Sequence, residues 1–146
     1  MLPAIVALKY GIKGWVSAPS ASSASGSVAL GEAYRMIKDG YMDRVLVGGL
    51  DLNVNRTVVN GMDAFGAVTK FDGPPELASR PFDQARSGTM ISDGGALILL
   101  ETQDSASQRG VKRDDIYGEM SGFGLNCDAF HALRPTDSGV GLVAAI

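Results

Sequence analysis

The spacing of apolar and polar positions changes several times along the chain, and each change predicts the start of a helix or a strand. Residues 28–40 have the spacing of an amphipathic helix. Residues 44–49 and 95–101 are apolar runs of strand length, and the first has the composition of a buried parallel strand. This alternation of helix and strand predicts an α/β fold.

The remaining segments extend the same pattern. Further helices are expected in the first eleven residues, over 57–67, over 102–108 and over 139–146. A short extended run over 15–18 and the segment 116–124 are expected to be strands. Adjacent prolines at positions 74 and 75 predict a loop there, and the polar, glycine-containing stretch 80–93 is expected to be irregular.

Composition narrows the class of protein. The 146 residues are 45% apolar and 20% charged, which is typical of one packed globular domain. The net charge is −3 and basic residues form no block, so nucleic acid is not expected as a partner. No apolar run approaches the roughly 20 residues that a membrane span needs, and the first residues lack the basic start and cleavage site of a secretion signal. We therefore expect no membrane span and no secretion.

Few residues offer candidate chemistry. One cysteine, Cys127, and one histidine, His131, allow neither an internal disulfide nor a zinc site of the usual type from this chain alone. Ser23 lies where a small-residue turn leads into a helix, a place that exposes a nucleophile to the helix N-terminus. Serine is also a common helix cap, and a lone histidine is more often structural, so both readings stay open at this point.

Six segments taken together resemble the β-ketoacyl-acyl carrier protein synthases, the condensing enzymes of the thiolase-like superfamily. In the order of that family they are residues 9–14 (KYGIKG), 29–37 (ALGEAYRMI), 45–49 (VLVGG), 79–83 (SRPFD), 86–101 and 128–135 (DAFHALRP). The similarity runs along nearly the whole chain. The resemblance implies the thiolase-like layered αβαβα fold, of which residues 1–146 form a partial domain.

The resemblance also implies an activity and partners. In this family an acyl chain passes from a carrier thioester to an active-site cysteine and then condenses with malonyl carrier protein after decarboxylation. The implied pathway is fatty acid or polyketide biosynthesis, with acyl carrier protein and a homologous ketosynthase subunit or larger assembly as partners, in an oligomer. No cofactor and no metal are implied, and the family's compartments are the cytoplasm and the matrix of mitochondria or plastids.

Carried over by position, the resemblance assigns roles to four residues. Ser23 falls on the nucleophilic cysteine and His131 on a catalytic histidine. Met62 replaces a phenylalanine that borders the acyl pocket, and Leu133 replaces the threonine two residues after the histidine, so both are assigned to substrate binding. A serine hydroxyl needs a neighbouring base to attack, whereas a thiol is partly ionised. Condensation through Ser23 is therefore expected to be slow or absent.

Three hypotheses follow from these residues. The first is a ketosynthase-type acyltransferase that uses Ser23 and His131. The second is a catalytically inactive ketosynthase-like subunit that acts by binding, which is favoured by Ser23, by Leu133 and by Val28 at a histidine-like position of the family. The third, ranked last, is a hydrolase pair of Ser23 and His131, since no G-x-S-x-G motif surrounds the serine.

Overall fold

The computed structural model describes residues 2–132 and 134–146. Within this part of the chain the helices and strands run in the order α1 (Leu2–Tyr10), α2 (Ser25–Lys38), β1 (Arg44–Leu52), α3 (Arg56–Ala64), β2 (Asp93–Glu101), α4 (Gln103–Gln108) and α5 (Val140–Ala145). Single 3-10 turns lie at Pro75–Leu77 and Arg113–Asp115. The predicted α/β class is confirmed, and the stretch predicted to be irregular is so over residues 80–92, since Asp93 already begins β2.

The chain divides into two units. One is formed by residues up to Gly49 together with residues 97–146, and the other by residues 50–96. The first unit carries α1, α2, α4 and α5, and the second carries α3. Both strands pass from one unit into the other.

Helix α2 is the central element of the first unit. Its apolar face buries Val28 and Ala33, as the sequence pattern predicts. The ring of Phe123 occupies the space that a side chain at Gly31 would need, so glycine is required for this approach. Beyond the helix, Gly40 adopts a left-handed conformation with φ 75°, which ends the helix as the paired Asp-Gly predicts.

Strands β1 and β2 form a two-stranded sheet. The N–H of Thr102, after β2, donates to the carbonyl of Asp43, before β1, at 3.1 Å. At the other end the N–H of Val54 donates to Oδ1 of Asp93 at 2.8 Å. The start of one strand thus lies beside the end of the other, so the pair is antiparallel and the predicted parallel direction is wrong. An apolar run predicts that a strand is buried on two faces, but it does not determine whether the strand pairs in the parallel or the antiparallel direction.

The two short extended runs are not strands. Residues 15–18 make no ladder, and Trp15 is 65% exposed. Residues 116–124 instead lie along α2, where the Tyr34 hydroxyl donates to the carbonyl of Ser121 at 3.1 Å. Apolar composition alone predicted both strands, but a strand also requires a neighbour with free N–H and C=O groups, and in the described residues neither segment has one beside it.

The buried apolar side chains in the described residues are small and few. They are Val28 and Ala33 on α2, Val47 on β1, Ala106 on α4 and, in the second unit, Ala78. Several large apolar side chains are exposed instead, among them Leu8 at 83% and Phe82 at 100%. Among the described residues, the helices are all too short or too polar to cross a membrane.

Candidate active site

Ser23 lies in an exposed, serine-rich loop and precedes the first residue of α2 by two positions. Ser22, directly before it, has a φ of 53°, in the left-handed region that residues other than glycine rarely adopt. The N-cap residue of α2 is Ala24, which makes no side-chain cap. The N–H groups in the first turn of α2 are therefore not satisfied by a capping side chain, and their partial positive charge faces the loop.

The start of α2 also lies against β1. A Cβ added to Gly49 would lie 3.4 Å from the Cα of Gly26, so the two backbones approach with room for little more than a methyl group. Strand β1 thus supports the helix end that presents Ser23.

His131 lies in an exposed loop between the segment beside α2 and helix α5. Oδ2 of Asp128 accepts a hydrogen bond from the N–H of Thr136 at 3.0 Å. Nδ2 of Asn126 donates to the carbonyl of Gly141, in the first turn of α5, at 2.6 Å. These two bonds tie the ends of the His131 loop to each other and to α5.

An open depression of about 790 Å³ lies on the His131 loop. Its lining includes His131, Cys127 and Asp128 from the loop, together with Ala24, the residue after Ser23. The structure therefore brings His131 and the start of α2 to one concave surface, although the side chain of Ser23 is not itself part of the lining. Cys127 is an exposed free thiol whose Sγ accepts from the N–H of Ala129 at 3.4 Å.

The other two sequence-predicted site residues are placed differently. Met62 is half-buried on α3, in the second unit. Helix α3 is capped by Asn55, whose Oδ1 accepts from the N–H of Val58 at 3.0 Å, and it ends before Gly66, whose φ is 69°. Leu133 lies outside the described residues.

Sequence reasoning missed an ion pair in the first unit. The guanidinium of Arg109 donates from one terminal nitrogen to Oε1 of Glu101 at 2.6 Å and from Nε to Oε2 at 3.1 Å. The Ser105 hydroxyl donates to Oε2 at 2.9 Å. The hydrogen bond from Arg109 holds the pKa of Glu101 below its ordinary value of 4.5, and the pair raises the pKa of Arg109. The pair joins β2 to the end of α4, so its role is structural.

The residues that hold the two loops were also missed. Ser25, Asn126 and Asp128 act through hydrogen bonds to backbone groups, and no periodicity marks such residues in a sequence. In the sequence, Asp128 is marked by its place in the segment 128–135, which resembles the family's motif around His131. Across the described ranges, His, Cys, Asp and Glu side chains form no group of three or more that could hold a metal ion.

The chain matches a protein family and named relatives. The family described as β-ketoacyl synthase, N-terminal domain, matches residues 1–106. A mitochondrial 3-oxoacyl-[acyl-carrier-protein] synthase from Arabidopsis thaliana is 38% identical over 97% of this chain and 30% of its own length. 3-oxoacyl-[acyl-carrier-protein] synthase 2 from Synechocystis is 34% identical over the full chain and 34% of its own length. The chain thus spans about a third of the length of these curated relatives.

Solved structures agree with these matches. A chain of the AntDE:AntF structure, a type II polyketide-synthase acyl-carrier protein in complex with its ketosynthase bound to the hexaketide, superposes with a TM-score of 0.92 at 30% identity, covering 99% of this chain and 35% of that one. A β-ketoacyl synthase from Burkholderia phymatum gives a TM-score of 0.85 at 33% identity, covering 97% of this chain and 34% of that one. The predicted thiolase-like fold, present in part, is confirmed.

Proposed function

Because the chain belongs to the β-ketoacyl synthase family, we propose that it supplies the acyl-acceptor part of a ketosynthase-like site in fatty acid or polyketide synthesis. The observation that carries the proposal is the placement of Ser23. By the resemblance it falls on the family's nucleophile, and it lies in an exposed loop two residues before a 14-residue helix whose N-cap residue makes no side-chain cap. A helix N-terminus stabilises the negative charge that develops when a thioester carbonyl is attacked.

The proposed step is an acyl transfer in which the atoms balance. Oγ of Ser23 attacks the carbonyl carbon of an acyl thioester, the C–S bond breaks, and an oxygen ester forms. The hydroxyl proton passes to the sulfur of the leaving carrier thiol. Because a neutral hydroxyl is a poor nucleophile, this step is slow compared with the same step at a cysteine.

His131 is proposed to act after acyl transfer. At the family's histidine position it would donate a hydrogen bond to the oxygen of the enolate that forms when the malonyl group loses CO2. An imidazole is suited to this role because its ring carries an N–H that can donate a hydrogen bond. Met62 and Leu133 are proposed to contact the acyl chain, since both are apolar residues at substrate-binding positions of the family.

Intact-protein mass tests the proposal after incubation with a long-chain acyl carrier protein thioester. We expect a mass increase of one acyl group in the wild-type chain and none in Ser23→Ala. Ser27→Ala, which changes an exposed serine elsewhere in α2, is the matched control and should acylate as the wild type does. Acylation that survives in Ser23→Ala would assign the acceptor to another residue.

A second candidate function is an inactive ketosynthase-like subunit that binds a homologous subunit. Val28 favours it, because this residue fills the family's histidine-like position and is only 8% exposed, as part of the core. Exposed Trp15 and Leu8, at 65% and 83%, leave apolar surface for a partner. An unacylated wild-type chain that forms a stable complex with a homologous ketosynthase in light scattering would favour this candidate.

The proposal also covers the domain, the partner, the oligomeric state and the compartment. We propose that residues 1–146 act as a partial ketosynthase domain, that the partner is an acyl carrier protein, and that the assembly is an oligomer such as a dimer. The solved ketosynthase in complex with its acyl carrier protein supports the carrier assignment. The proposed compartment is the cytoplasm or an organelle matrix, and the mitochondrial relative supports the organelle alternative.

A further inference from the structure

Ser25, the first residue of α2, makes two hydrogen bonds with its side chain. Its Oγ accepts from the N–H of Ala21 at 2.8 Å and donates to the carbonyl of Ser22 at 2.6 Å. The N–H of Ser25 donates to the same carbonyl at 3.1 Å. One hydroxyl therefore joins the residues on the N-terminal side of Ser23 to the first turn of the helix.

These bonds lie in a part of the loop whose backbone conformation is unfavourable. Ser22 has a φ of 53°, a conformation that an L residue seldom keeps without surrounding contacts. Ala24 contributes no side-chain cap. The hydroxyl of Ser25 bonds Ala21 and Ser22 in the loop and does not cap an N–H group of the helix. The first turn of α2 thus begins two residues after Ser23 with no side-chain cap from its N-cap residue.

We infer that Ser25 is a positioning residue, which keeps the side chain of residue 23 beside the uncapped N–H groups at the start of α2. The inference rests on the proposed function, since it assigns Ser25 a role in presenting the acyl acceptor. Loss of the hydroxyl frees the N–H of Ala21 and leaves the carbonyl of Ser22 with a single partner from Ser25. The loop can then move residue 23 away from the helix axis.

A thiol placed at position 23 reports on this arrangement without any acyl donor. In a Cys127→Ser background, Ser23→Cys gives the chain one thiol, whose iodoacetamide alkylation is followed by mass at a series of pH values. A helix N-terminus lowers a thiol pKa from about 8.5. We expect the thiol pKa to lie below that value and to rise by about one unit in Ser25→Ala, which slows alkylation near neutral pH about tenfold.

Two further variants separate positioning from folding. Ser25→Thr keeps a hydroxyl at the same place and should restore the low thiol pKa, whereas Ser27→Ala should leave it unchanged. An unchanged pKa in Ser25→Ala overturns the inference, and so does loss of helical circular dichroism, because Ser25 would then serve the fold. If the thiol pKa responds to Ser25 but wild-type Ser23 accepts no acyl group, the proposed function fails while Ser25 still positions residue 23.

Discussion

Two loops face the candidate site, and they are held in different ways. The Ser23 loop is fixed by bonds between residues three and four positions apart, made by Ser25 to Ser22 and Ala21. The His131 loop is fixed by bonds that span eight and fifteen positions. The first needs only the start of α2, whereas the second also needs α5 in place.

The difference in the range of these hydrogen bonds indicates which loop of the site should keep its geometry when the structure is perturbed. Local bonds form as soon as the helix forms, since they close short loops at small cost in chain entropy. The longer bonds of the His131 loop depend on tertiary packing of the C-terminal segment. We therefore expect the Ser23 loop to keep its geometry under changes that loosen the His131 loop.

The largest expected effect concerns the nucleophile itself. Ser23→Cys should raise the rate of acyl transfer to position 23 by about 10²-fold or more, which is the size of contribution that serine requires from a positioned base. Intact-mass time courses with an acyl carrier thioester measure this rate, and a Cys127→Ser background removes the competing thiol. An unchanged rate would mean that the loop does not present residue 23 to a carrier.

The next effect concerns the contact between α2 and the segment that leads to the His131 loop. Gly31→Ala places a Cβ too close to three ring carbons of Phe123, which must move, so the free energy of unfolding should fall by about 1–3 kcal/mol. Gly61→Ala on α3 is the matched control, because its Cβ meets open space and alanine favours a helix. Urea denaturation that ranks Gly31→Ala as more stable than Gly61→Ala would contradict this packing.

A smaller effect should separate the two loops directly. Asp128→Ala removes the acceptor of the Thr136 N–H, worth about 1 kcal/mol, and should speed amide hydrogen exchange near Thr136 several-fold. Exchange at the Ser23 loop should stay unchanged. Asp137→Ala, an exposed carboxylate of the same loop, serves as control. Equal acceleration in both loops would show that they are coupled and not independent.

The smallest effect is a pH dependence remote from either loop. The pKa of Glu101 is lowered in the folded state, chiefly by its hydrogen bond from Arg109, so its contribution to stability is present above the ordinary pKa of 4.5 and is lost as pH falls through the folded pKa. Arg109→Gln should therefore lower the urea midpoint at pH 7, and this effect should shrink as the pH falls through the folded pKa of Glu101. Lys70→Gln, which breaks an exposed ion pair with Asp63, should change neither value measurably.

The same contrast between local and distant contacts decides what the sequence could predict. Helix α2 followed from the spacing of its apolar residues, and the exposed turn at Ser23 followed from the small residues before it. The antiparallel pairing of β1 and the path of residues 116–124 along α2 depend on partners far away in the chain. The composition of a segment does not show which distant residues it will contact. The bonds of Asp128 and Asn126 were missed for the same reason.

Peptide mapping of the acylated wild-type chain decides whether Ser23 is the acyl acceptor. The two candidate acceptors differ in chemistry: Ser23 forms an oxygen ester and Cys127 a thioester, and neutral hydroxylamine cleaves only the thioester readily. We expect an acyl group on the peptide that contains Ser23, retained after hydroxylamine treatment. An acyl group found solely on Cys127 and released by hydroxylamine, or no acyl group on a folded chain, would contradict this expectation.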